Sequence, residues 1–172
     1  MTRIFAILLL LLAQASATKV LPATDVKASD IQATVKEEIA KKLTDVPIRT
    51  VDAGGHNVSI AVVHRDKGTN LTGMAAHDKV SEVYYVVEGA GTFVTGGTLV
   101  KPEKRESSSD TVRQLSGPGY AGSGIQGGTS RRMAKGDMVI IPAATPHGFT
   151  DVQETITYTI VRIDPGRLLA LK

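Results

Sequence analysis

The 172-residue chain has no cysteine and four histidines, His56, His64, His77 and His147. Two of them keep company suited to chemistry. His77 opens the stretch HDKVSEVYYVVEGAG (77–91), with Glu82 five positions on and Tyr84 two beyond that. His147 closes GDMVIIPAATPH (136–147). Each of these histidines stands at the edge of a predicted strand, just past a turn. If Glu82 points inward, strand alternation turns Tyr84 and Val86 inward with it. A carboxylate on the inner face of a small barrel is costly unless it is paired or bound to a metal. Two imidazoles and one carboxylate are the donor set of the facial triad of non-haem iron oxygenases, and they suit zinc, manganese or nickel equally.

His77, Glu82 and His147 are therefore expected to hold a divalent ion (Fe, Mn, Zn or Ni), with Glu82 also a catalytic candidate. Two other outcomes remain open: weak, vestigial binding, or a metal-free polar cluster in which Glu82 bridges the two histidines. Tyr84 is a second catalytic candidate; as a core tyrosine it would need only a partner for its hydroxyl. His64, at the end of an apolar run, is a further candidate ligand, and His56 follows Gly54-Gly55 in a turn. The plainer expectation for both is a structural hydrogen bond or a surface position. Arg131, Arg132 and Arg162 are suited to an anionic substrate, but surface positions are their default.

The elements that position these residues follow from periodicity. Ile31, Val35, Ile39 and Leu43 recur at four-residue spacing behind Ser29-Asp30, which predicts a capped helix over about 30–43. Asp45-Val46-Pro47 stops it. Beyond it the period falls to two. Strands are predicted over 48–51, 58–64, 82–87, 92–100, 129–134, a fully apolar 138–141, and from His147 to Phe149. A turn separates 82–87 from 92–100 at Glu88–Gly91. In Thr155–Ile163, Ile156, Tyr158 and Ile160 share one face. The stretch 101–128 changes composition, with a charged run, serines and many glycines, and reads as a long surface loop. Its six glycines over 117–128 lack the strand-to-helix setting of a phosphate loop. Many short strands with one helix predict an all-β fold of the sandwich or barrel kind.

Composition narrows the function classes. Residues 1–17 have a basic n-region (Arg3), an apolar run (4–13) and a small-residue site, Ala15-Ser16-Ala17. The run is short of the about 20 residues a membrane span needs. A cleaved secretory signal is expected, with export to the periplasm or outside and no stable membrane insertion afterwards. Removing it lowers Lys+Arg from 20 to 19 against 17 Asp+Glu, a charge of +2. That is too weak for a nucleic-acid partner. Asn57-Val58-Ser59 and Asn70-Leu71-Thr72 are glycosylation sequons. The expected layout is signal peptide 1–17, lead-in and helix 18–47, barrel 48–164 and tail 165–172.

Over about residues 58–163 the sequence resembles the cupin superfamily. Its first motif runs glycine, five residues, His-x-His, three or four residues, Glu, six residues, Gly. Here Glu82 and Gly89 keep the six-residue gap, and His77 keeps the four-residue gap as the second histidine of the pair. The second motif, glycine, five residues, Pro-x-Gly, two residues, His, is matched by Gly136, Pro142 and His147, with Ala144 in place of the glycine. Ala75 stands where the first histidine belongs, so one ligand of the family's four is absent. The 44 residues between the motifs, Thr92 to Lys135, are a long connection. The resemblance implies a cupin-type antiparallel double-stranded β-helix, a jelly-roll barrel, with an N-terminal α-helix outside. For function it implies a metal-dependent enzyme on a small oxygen-bearing molecule, of oxygenase, isomerase or lyase type. The alternative is a non-catalytic, metal-free ligand-binding or structural barrel. The small molecule is the expected partner, with a homodimer through the 29–43 helix as a further possibility.

Overall fold

A computed structural model describes residues 20–69, 71 and 73–172. The expected leader, 1–17, lies outside the described residues. Among the described residues no helix is long and apolar enough to cross a membrane.

Among the described residues one α-helix, α1 (Ala28–Lys41), precedes eleven strands. These are β1 (Val46–Asp52), β2 (Asn57–Arg65), β3 (Met74–His77), β4 (Ser81–Thr95), β5 (Thr98–Val100), β6 (Glu103–Lys104), β7 (Gly119–Gly122), β8 (Gly124–Gln126), β9 (Thr129–Ala134), β10 (Met138–Ile141) and β11 (His147–Asp164). All pairings are antiparallel, and β4 and β11 form the spine. One half of this long pair sits in the order β1-β2-β11-β4-β10. The other half sits in β6-β7-β3-β11-β4-β9. β5 and β8 form a separate ribbon. The alternating residues Ile156, Tyr158 and Ile160 are buried as predicted, beside Val63, Tyr84, Val86, Phe93 and Phe149.

The spine bends where the register slips, around Phe149–Tyr158 of β11 and Glu88–Thr92 of β4. The predicted turn at Glu88–Gly91 is therefore a bend within one continuous strand. Gly89 has φ +77°, and a Cβ there would come within 1.9 Å of the Thr155 carbonyl oxygen. Only glycine lets β4 press so closely on β11 while changing direction.

Three other expectations change. The 101–128 stretch carries β6, β7, β8 and a helical turn at Thr111–Ser116. Its glycines read as loop residues, but a Cβ on Gly119 would lie 2.1 Å from the Ala76 carbonyl oxygen, so glycine is what lets β7 pair with β3. The predicted helix stripe also moves. Residues four apart advance about 400° at 3.6 residues per turn, so an all-i+4 row drifts around the helix. Ile31, Thr34, Val35 and Glu38 turn inward, whereas Ile39 and Leu43 are exposed. Its first turn is closed by Asp30 at the third helical position, which accepts from the Lys27 N–H at 3.1 Å. Finally, β10 is apolar but pairs only with β4, and Met138 and Ile140 face outward.

Candidate metal centre

β4 carries Glu82 inward with Tyr84 and Val86, all three buried. β3 ends on His77, and β11 begins on His147, whose cross-strand neighbours are Ala75 and Thr95. The turn before His147 is tied back to the first motif, because the Ala144 N–H donates to the His77 carbonyl at 2.6 Å. Ala144 adopts φ +63°, the left-handed conformation that the usual glycine would take without strain.

The result is a buried cluster. His77 Nε2 and His147 Nε2 lie 3.3 and 3.0 Å from the same atom, Glu82 Oε2. The Tyr84 hydroxyl donates to that oxygen at 3.2 Å. Glu82 Oε1 accepts from Arg162 Nε at 2.8 Å, and Arg162 Nη2 donates to Asp45 Oδ2 at 2.6 Å. Burial pushes the Glu82 carboxyl up, but Arg162 and the two histidines outweigh it and hold the group well below the usual carboxylate range. Burial lowers His77, with Glu82 opposing. Burial likewise drives the Tyr84 hydroxyl well above its ordinary value, reinforced by the Glu82 charge, so it stays protonated.

Hydrogen bonding assigns the ring nitrogens. His147 Nδ1 lies 2.8 Å from the Thr145 carbonyl, which can only accept, so Nδ1 carries a proton. A neutral His147 then turns a lone pair toward the ionised Glu82 oxygen 3.0 Å away. Two acceptors in that position repel unless a cation, a metal ion or a proton, stands between them. His77 differs. Arg105 Nη1 faces its Nδ1 at 3.4 Å, and a guanidinium can only donate; with Nδ1 accepting, a metal-free His77 turns an Nε2 proton toward Glu82, and ligation through Nε2 requires that proton to leave.

The donors fit a divalent ion. One ligand atom from each of His77, Glu82 and His147 lies within 4.8 Å of the others. Cis ligands at about 2.1 Å from an ion stand about 3.0 Å apart, close to the 3.3 and 3.0 Å of the two histidine–Glu82 pairs. His64 is not brought to this group; its Nδ1 bonds Thr157 Oγ1 at 3.0 Å and its Nε2 faces Asp66. Arg162, read from sequence as a surface residue by default, is 1% exposed. It sits directly opposite Glu82 in the β11–β4 register. The alternation of Ile156, Tyr158 and Ile160, carried one step further, is the signal that places it inside. Arg131 lies over the Phe93 ring, and Arg132 pairs on the surface with Glu154. Asn57 is buried with its Nδ2 donating to the Leu169 carbonyl, so the first sequon is not open to a glycan.

A cavity of about 230 Å³ adjoins the cluster, lined by His77, His147, Tyr84, Ala75 and three arginines, with Phe93, Phe149 and Ile160 as apolar wall. Ala75, at the position where the cupin motif it resembles has its first histidine, is part of the cavity lining.

No protein-family profile and no curated protein sequence matches the chain. Among solved structures it is similar to BH2720 from Bacillus halodurans at 14% identity, covering 87% of each chain with a TM-score of 0.46. It is similar to a cupin protein from Bacteroides fragilis at 12% identity, over 67% of this chain and 72% of that one, TM-score 0.39. An oxalate oxidase is similar at 21% identity, over 72% of this chain and 52% of that one, TM-score 0.44. The bent β4–β11 spine, flanked by different strands along its two halves, makes this an antiparallel double-stranded β-helix with an N-terminal helix, the fold that the resemblance to cupins implies.

Proposed function

We propose that the chain holds one divalent metal ion through His77, Glu82 and His147 and acts on a small oxygen-bearing molecule in the adjoining cavity, by oxygenase, isomerase or lyase chemistry. The observation that carries this reading is the pair His147 Nε2 and Glu82 Oε2, a lone pair and an ionised oxygen 3.0 Å apart. A bound ion would supply Lewis acidity beside the cavity. The chain's own groups do the rest. Thr145 fixes the His147 tautomer, Arg162 orients the Glu82 carboxylate, and Tyr84 offers an un-ionised hydroxyl at the same oxygen. Phe93, Phe149 and Ile160 give the cavity an apolar wall. Export rests on the signal pattern of residues 1–17.

The rival is a metal-free binding barrel with an imidazolium at His147, and the Arg105 contact to His77 Nδ1 favours it. Manganese(II) titration followed by electron paramagnetic resonance separates the two. The metal reading expects a bound-ion spectrum at pH 7.5 that is lost on acidification, because ligation needs deprotonated donors. Free manganese alone at every pH would support the rival.

A further inference from the structure

The cavity beside the cluster holds more positive charge than its own carboxylates balance. Arg65, Arg105 and Arg162 line it. Arg162 is committed to Glu82 and Asp45, yet its Nη1 is buried without a hydrogen-bond partner. Arg65 and Arg105 have no carboxylate partner among the described residues. Their nearest polar contacts are a tyrosine hydroxyl, Tyr158 at 3.4 Å from Arg65 Nε, and His77 Nδ1 at 3.4 Å from Arg105 Nη1. Both contacts are long, and neither gives a guanidinium the planar, two-oxygen acceptor its geometry suits. Both arginines are half-buried, so water screens them less than surface groups. Three cations thus face two anions, Asp45 and Glu82, before any metal adds its charge.

We propose that this cavity is a binding site for a small carboxylate, gripped by Arg105 and Arg65. The ligand's place beside an ion rests on the metal reading above; the guanidinium contacts themselves need no ion. Size supports a small molecule, since about 230 Å³ lies below the roughly 300 Å³ at which drug-sized pockets begin. The apolar wall of Phe93, Phe149 and Ile160 suits a short carbon skeleton rather than a fully hydrated inorganic ion. Arg105 comes from the stretch between β6 and the Thr111–Ser116 turn and is anchored by its own N–H to the Gly119 carbonyl at 2.9 Å. The inserted segment therefore supplies a recognition group to the barrel.

Isothermal titration with acetate, malonate and succinate tests this on chelator-stripped protein and on manganese-loaded protein, with malonamide as the uncharged analogue of malonate. At least one carboxylate is expected to bind the stripped protein, and malonamide is not. Arg105→Gln and Arg65→Gln should each weaken binding about tenfold or more, the loss of one charge-assisted contact. Arg105→Lys should fall between, and Arg132→Gln on the surface should change nothing. Near-ultraviolet circular dichroism confirms that each variant is folded. Carboxylate binding without manganese binding leaves this proposal standing and removes the metal reading. Manganese binding with no carboxylate bound in either form overturns this proposal alone. So does malonamide binding as tightly as malonate, or an unchanged affinity in both arginine variants.

Discussion

Arg162 and Glu82 face each other across β11 and β4 as direct cross-strand partners, 2.8 Å apart from Nε to Oε1, each 1% exposed. Removing one partner of such a pair strands a buried charge, at a cost of about 3–5 kcal/mol. Arg162→Ala should lose that much in urea unfolding, since it also leaves Asp45 without its cation. Glu82→Ala carries the same hazard. From the sequence, loss of metal without unfolding is the expectation for Glu82→Ala and His147→Ala alike; the buried arginine restricts it to His147→Ala. Replacing Glu82 and Arg162 together by apolar residues of similar volume should cost clearly less than the sum of the single changes. Additive losses would mean that the pair is not coupled.

Ala144→Gly should stabilise the protein. Alanine at φ +63° bears about 1–2 kcal/mol of left-handed strain, against about 0.5–1 kcal/mol of extra chain entropy lost by glycine on folding. The net gain is about 0.5–1 kcal/mol, read as a higher urea midpoint with an unchanged slope. Destabilisation would show that the alanine methyl makes a compensating contact.

Glu38 on α1 is 1% exposed, and neighbouring backbone N–H groups approach its carboxylate without well-aligned hydrogen bonds. Burial raises its pKa to about 7, against partial relief from backbone N–H groups of Asp45, Val46 and His64. The folded state therefore binds this proton more tightly than the unfolded state. The stability it contributes is complete below about pH 4.5 and is lost as pH rises through about 7. Glu38→Gln should thus gain on the wild type between pH 5 and 8, by on the order of 1–3 kcal/mol, and the gain should vanish near pH 4. A difference independent of pH would place the effect in packing instead.

Much of the barrel and most of the centre were legible from spacing. His77, Glu82 and His147 converge because both motifs carry their turns at fixed offsets, and Tyr84 follows Glu82 by alternation. Asp45 was not legible. It reaches Arg162 from a left-handed position, φ +66°, 117 residues away in sequence, and no local pattern announces that. Arg105 was hidden because β7 is built on glycines whose need is set by a neighbouring backbone. The continuity of β4 through Gly89 was hidden for the same reason. Glu38 is not legible because the row of i+4 apolar residues runs through Ile39, beside it.

Metal stoichiometry tests the central claim most directly. The protein would be stripped with chelator, reconstituted separately with Fe(II), Mn(II), Zn(II) and Ni(II) at pH 7.5, desalted and measured by elemental analysis beside folded His147→Ala. The account predicts close to one ion per chain for at least one metal in the wild type and a small fraction of that in the variant. A wild type that emerges empty from all four, or a variant that retains the ion equally well, would contradict it.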